Sequence, residues 1–171
     1  MAKKHTEPRY SLDRLRVTFW SVFYIVLWNP LLQKLWPRPL DPSDRLSAFI
    51  KKKGYDKVTG QLTTAAFLPR EWDGRLETSV FRTTGLQDEK IWRLGHLWTV
   101  VNPLWANPGS QLITGRADLS VASVISSGQL FTSLNPSPHP DHADILGWDH
   151  DESAQELQAL LLVQASVYVS C

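Results

Sequence analysis

The hydrophobic pattern is clearest near the end of the chain. Ala154, Leu157, Leu161, Ala165 and Tyr168 recur at three-to-four spacing, and Leu160, Leu162 and Val163 widen that face. This period predicts a helix whose apolar stripe lies across a sheet. Ser153 and Glu156 have the spacing of a capping box, and Asp149, Asp151 and Glu152 put negative charge near the positive end of the helix dipole. Val167, Val169 and Cys171 follow, too few residues for a further element.

Working back from that helix, residues 142–148 (HADILGW) read as a short strand closed by Gly147, and residues 129–134 as another. Between them, Pro136, Pro138 and Pro140 hold a loop extended, because each fixes its own φ and restrains the preceding residue. Asp118 or Ser120 is a candidate cap for a helix over residues 119–127, ended by Gly128. Residues 112–118 are short and extended. Residues 84–89 open a helix striped by Ile91, Leu94, Leu97, Trp98 and Val101, with His96 packed beside the stripe. Residues 61–68 and 76–82 form a hairpin through Asp73-Gly74, in a loop longer than the tightest type. Leu76, Thr78, Val80 and Arg82 face one way, and Glu77, Ser79 and Phe81 the other. Ser43 caps a short helix buried through Leu46, Phe49 and Ile50 and ended by Gly54.

The expected fold is therefore α+β: a small mixed or antiparallel sheet, made of the β-hairpin plus two or three further strands, with three to four helices on one side. Before it, residues 17–28 are a dense apolar run that reads as an N-terminal helix. That run falls short of the roughly 20 residues a membrane span needs, and extending it to Trp36 admits Asn29, Pro30, Gln33 and Lys34. It lacks the small-residue cleavage site of a secretory signal. Three readings stay open: a helix packed on the domain or a partner, a membrane-associated anchor over residues 17–36, and a dispensable extension. Pro37, Pro39 and Pro42 mark a linker, which divides the chain into an extension, residues 1–40, and a globular domain, residues 41–171.

Composition narrows the chemistry. With 171 residues and 43% hydrophobic content, one domain with a real core is expected. A net charge of +1, with basic residues scattered apart from Lys51-Lys52-Lys53, gives no signature of a nucleic-acid binder. The one cysteine, Cys171, makes no intramolecular disulfide, which suits a reducing cytoplasm. No glycine-rich phosphate loop, nucleophile motif or cysteine-based zinc spacing is present, so no cofactor is predicted from them.

What remains is the loop and strand carrying His139, His142 and Asp144, with Asp118, Asp149 and His150 as additions. Imidazole and carboxylate can hold a divalent ion that activates water. His142 and Asp144, two apart on a strand, share a face. The plain alternative is a polar loop whose acids serve the next helix. Arg82, Arg116 and Trp148 are the candidate binding residues, since arginine and tryptophan anchor interfaces.

The segments ETSVFR (77–82), Ile91-Trp92 with Leu94-Gly95, GRAD (115–118) and PSPHPDHADILGW (136–148) together resemble an uncharacterised family of small bacterial proteins. The resemblance covers residues 43–168. It implies a bacterial domain that stands as a unit without residues 1–40, and it supplies no activity. Three functions follow as expectations: a non-catalytic accessory domain that binds a protein partner, a metal-dependent hydrolase or nuclease using His139, His142 and Asp144, and a membrane-associated protein anchored by residues 17–36.

Overall fold

The computed structural model describes residues 38–97, 113–135 and 139–171. Residues Arg38–Cys171 form one compact unit. The apolar run at 17–36, residues 98–112 (with Trp98, Val101 and Leu112) and the prolines at 136 and 138 lie outside the described residues. No helix of the described residues is long and apolar enough to cross a membrane.

The fold is α+β. Its strands are β1 (Arg45–Lys51), β2 (Tyr55–Asp56), β3 (Gln61–Leu62), β4 (Arg70–Trp72), β5 (Arg75–Arg82), β6 (Ile113–Ser120), β7 (Phe131–Leu134), β8 (His142–Leu146) and β9 (Val167–Ser170). Its helices are α1 (Asp88–His96), α2 (Val121–Ser126) and α3 (Glu152–Ala165). Seven strands make one sheet in the order β7-β8-β5-β1-β6-β9, with β4 beside β5, while β2 and β3 pair separately. Every ladder is antiparallel.

The sheet is larger than the sequence suggested because two segments fold differently. Residues 45–51 form the central strand β1, not a helix. Leu46, Ala48 and Ile50 are all buried at a period of two, and Ser47 between them is buried as well. A strand covered on both faces loses the clean alternation that marks a half-exposed one. The tail, read as too short for an element, is β9, which pairs with β6 from Asp118↔Val167 to Gly115↔Ser170.

The hairpin is real but its first strand is β4, where Trp72 pairs with Arg75 around a two-residue turn. Asp73 (φ 50°) and Gly74 (φ 71°) both have positive φ, the requirement of the tightest hairpin turn. Residues 61–68 instead hold β3 and a 3-10 turn at Thr64–Ala66 that places Phe67 in the core.

One face of the sheet carries the apolar core, where Leu46, Ala48, Ile50, Val80, Ala117, Ala143 and Ile145 meet Ala159 and Leu162 of α3. The cap of α3 is Asp151, whose carboxylate accepts from Ala154 N–H at 2.9 Å, not the Ser153/Glu156 box. Ser120 caps α2 through Ser123 N–H at 3.0 Å, and Asp118 does not. The buried stripe of α3 is also rotated from the expected one. Ala159 and Leu162 face inward, whereas Leu157, Leu160 and Leu161 face outward.

On the opposite face α1 lies close to β1. A Cβ at Gly95 would collide with the Phe49 ring, so glycine there permits the approach. Ile91 and Leu94 are buried, but Leu97 is exposed and so is His96, which does not pack beside the stripe.

Candidate functional site

β8 separates the two faces at single-residue resolution. Ala143 and Ile145 point into the core, while His142 and Asp144 share the other face, as their spacing requires. Register places Asp144 opposite Ser79 and His142 opposite Phe81. The His142 ring stands edge-on to Phe81 with centroids 5.3 Å apart. His142 Nε2 and Asp144 Oδ1 lie 3.5 Å apart, both side chains buried.

Asn135 organises this pair from the end of β7. Its carbonyl accepts from His142 Nδ1 at 2.9 Å, its amide Nδ2 donates to Asp144 Oδ2 at 2.8 Å, and its backbone N–H donates to the His142 carbonyl at 3.0 Å. A carbonyl can only accept, so this bond fixes the tautomer with the proton on Nδ1. Burial holds the His142 pKa below its ordinary value, although the Asp144 charge pulls the other way.

His139 is engaged differently. Its Nδ1 accepts from Asp141 N–H at 3.1 Å and its carbonyl accepts from His142 N–H at 3.0 Å, so it shapes the turn into β8. Asp141 in turn pairs with Arg82 at 3.2 Å, and Arg82 also donates to the Arg38 carbonyl at 2.8 Å. Among the described residues no group of three or more His, Cys, Asp or Glu side chains is arranged to hold a metal ion. Asp149 and Asp151 serve the start of α3: Asp149 accepts from Asp151 N–H, and Asp151 caps.

The same face brings together residues that sequence reading left out. Glu77 is buried beside Arg70 at 3.7 Å, and Arg70 donates to Ser79 Oγ at 2.7 Å. Burial and the Asp144 charge raise the Glu77 pKa, against Arg70 and Arg75. Alternation on β5 puts Glu77 and Ser79 on this face, but no single-strand pattern shows that Arg70 of β4 and Asp144 of β8 meet them.

Arg116 is buried and ties β6 to α1. It pairs with Asp118 at 3.1 Å and Asp88 at 2.9 Å, and its guanidinium lies 5.0 Å from the centroid of the Trp92 ring. Ser47 Oγ donates to Asp118 Oδ1 at 2.5 Å. Trp148 is buried in the core, with Nε1 donating to the Ile145 carbonyl at 3.0 Å. The three candidate binding residues are therefore each engaged by neighbours within the fold.

The outward side of α3 has the opposite character. Leu157 is 59% exposed, Leu160 41% and Leu161 38%, and Val167 at the start of β9 is 67% exposed. Residues 157–171 carry no charged side chain. Single exposed leucines are ordinary, but three at one-turn spacing on one helix make a patch of the kind that marks contact surfaces.

Comparison with protein-family models, with curated proteins and with solved structures finds no match. Function rests on the side chains themselves.

Proposed function

We propose that this chain is a small accessory domain without catalysis of its own, which acts by binding protein through the outward face of α3 and the neighbouring β9. The observation that carries the reading is a contrast. Glu77, Arg116, His142 and Asp144 are buried in contacts that build the fold, whereas Leu157, Leu160 and Leu161 of α3 face water. Catalysis needs a group that a substrate can reach, and an interface needs apolar anchors that a partner can cover.

The competing reading is a divalent ion on His139, His142 and Asp144 that activates water for hydrolysis. It is supported by the closeness of His142 and Asp144. It is opposed by His139, whose Nδ1 accepts from Asp141 N–H and so leaves the ring proton on Nε2, with no lone pair for an ion.

The test is a photo-crosslinking residue placed at Leu161 of the full chain in its host cells, with Val58, 94% exposed, as the control position. The binding reading expects discrete protein adducts from Leu161 that Val58 does not give. Equal labelling from both positions, or none from either, would contradict it.

A further inference from the structure

We infer that the partner covering this surface is a second copy of the chain, joined through antiparallel pairing of β9 with its own copy about a two-fold axis. This rests on the contact reading given above and names its partner.

Three observations converge on β9. The first is the open edge. In the seven-stranded sheet β9 pairs with β6 alone among the described residues, so its outer row of N–H and C=O groups faces away from the sheet. Natural edges are blunted by lysine, proline, a bulge or an inward-pointing charge. The sequence of β9 is VYVS, and its register with β6 runs without a shift.

The second is what flanks the edge. Val167 and Val169 stand opposite Asp118 and Arg116 and share their face. Tyr168 points to the other face, where it stacks on Tyr55 with centroids 4.8 Å apart and donates to the Thr114 carbonyl at 2.9 Å. On that core side α3 presents Leu157, Leu160 and Leu161 outward, and only Ser166 separates α3 from β9. β9 itself thus carries apolar or aromatic side chains on both of its faces, Val167 and Val169 on one and Tyr168 on the other.

The third is self-complementarity. Two copies of one edge related by a two-fold axis must run antiparallel, the geometry of every ladder in this sheet. With no charged side chain in residues 157–171, the segment sets no like-charged side chains against its own copy. A partner of different sequence would more often be selected by complementary charge, which this surface does not offer.

In such a pairing one residue sits on the axis directly opposite itself, with Cα atoms roughly 4.5–5.5 Å apart, within reach of a disulfide. The experiment uses the full chain. Cys171, which is exposed, is one probe, and single cysteines at positions 166–170 in a Cys171→Ser background are the others. Cysteine at Val58 is the control.

The expected result is a dimer in sedimentation, with mild oxidation linking it at one position in 166–171 and falling off at its neighbours. Leu161→Glu with Val167→Lys, both exposed sites, should raise the dissociation constant at least about tenfold while the far-ultraviolet circular dichroism is unchanged. A monomer at all concentrations overturns the inference, as does a dimer that crosslinks no better at 166–171 than at Val58. If the chain is monomeric but Leu161 still captures another protein in cells, self-pairing fails and the contact reading stands. If neither occurs, both fail.

Discussion

His142 Nε2 stands 3.5 Å from Asp144 Oδ1 on the polar side of the sheet, with both side chains buried and both held by Asn135. Burial favours the neutral imidazole, and the neighbouring carboxylate offsets only part of that preference. The unfolded chain therefore binds more protons than the folded one between the lowered value and 6.5. Stability should fall as pH drops from 6.5 through that window. Urea unfolding as a function of pH measures it, and His142→Gln should flatten this part of the curve.

Glu77 works in the opposite sense. Its raised pKa means that the folded state binds more protons between 4.5 and the raised value, so this group favours the fold as pH falls through that interval and opposes it above. Glu77→Gln should stabilise the domain at pH 7, because the amide retains hydrogen-bonding capacity without a buried charge. It should also steepen the acid loss due to His142. A destabilised variant at pH 7 would show that the Arg70 contact outweighs desolvation.

These two groups also show what could be read along the chain. Alternation alone places His142 with Asp144, and Glu77 with Ser79, on common faces, and residue type alone marks the Asp73-Gly74 turn and the Gly147 stop. That β5 lies between β4 and β8, bringing Arg70 and Asp144 to the same acid, depends on sheet order, which no local pattern encodes. β1 resembles a helix in sequence because Leu46, Phe49 and Ile50 mimic helical spacing when a strand is buried on both faces. In α3 the apolar residues extend around much of the helix, so periodicity found the element but not which leucines face inward; contact with the core through Ala159 and Leu162 decides that.

The cap of α3 offers a direct check on its start. Asp151→Ala removes the carboxylate that accepts from Ala154 N–H and should cost about 1 kcal/mol in chemical unfolding. Ser153→Ala, at the position of the expected capping box, should change stability by less than about 0.5 kcal/mol.

Metal content separates the two chemical readings. Purified full chain incubated with zinc, manganese or magnesium and then desalted should retain no stoichiometric ion, and His142→Ala should behave alike. An ion held one-to-one by the wild type and lost from His142→Ala would move hydrolysis ahead of protein contact.

The central claim is that adjacent leucines of α3 have opposite tasks, Leu162 holding the core and Leu161 meeting a partner. The unfolding free energies of Leu161→Glu and Leu162→Glu, extrapolated to low protein concentration so that association does not contribute, test this most directly. Leu162 is fully buried, so its replacement should cost about 3 kcal/mol or more, whereas Leu161→Glu should stay within about 0.5 kcal/mol of the wild type. Equal, large losses at both positions would place Leu161 in the core and contradict the account.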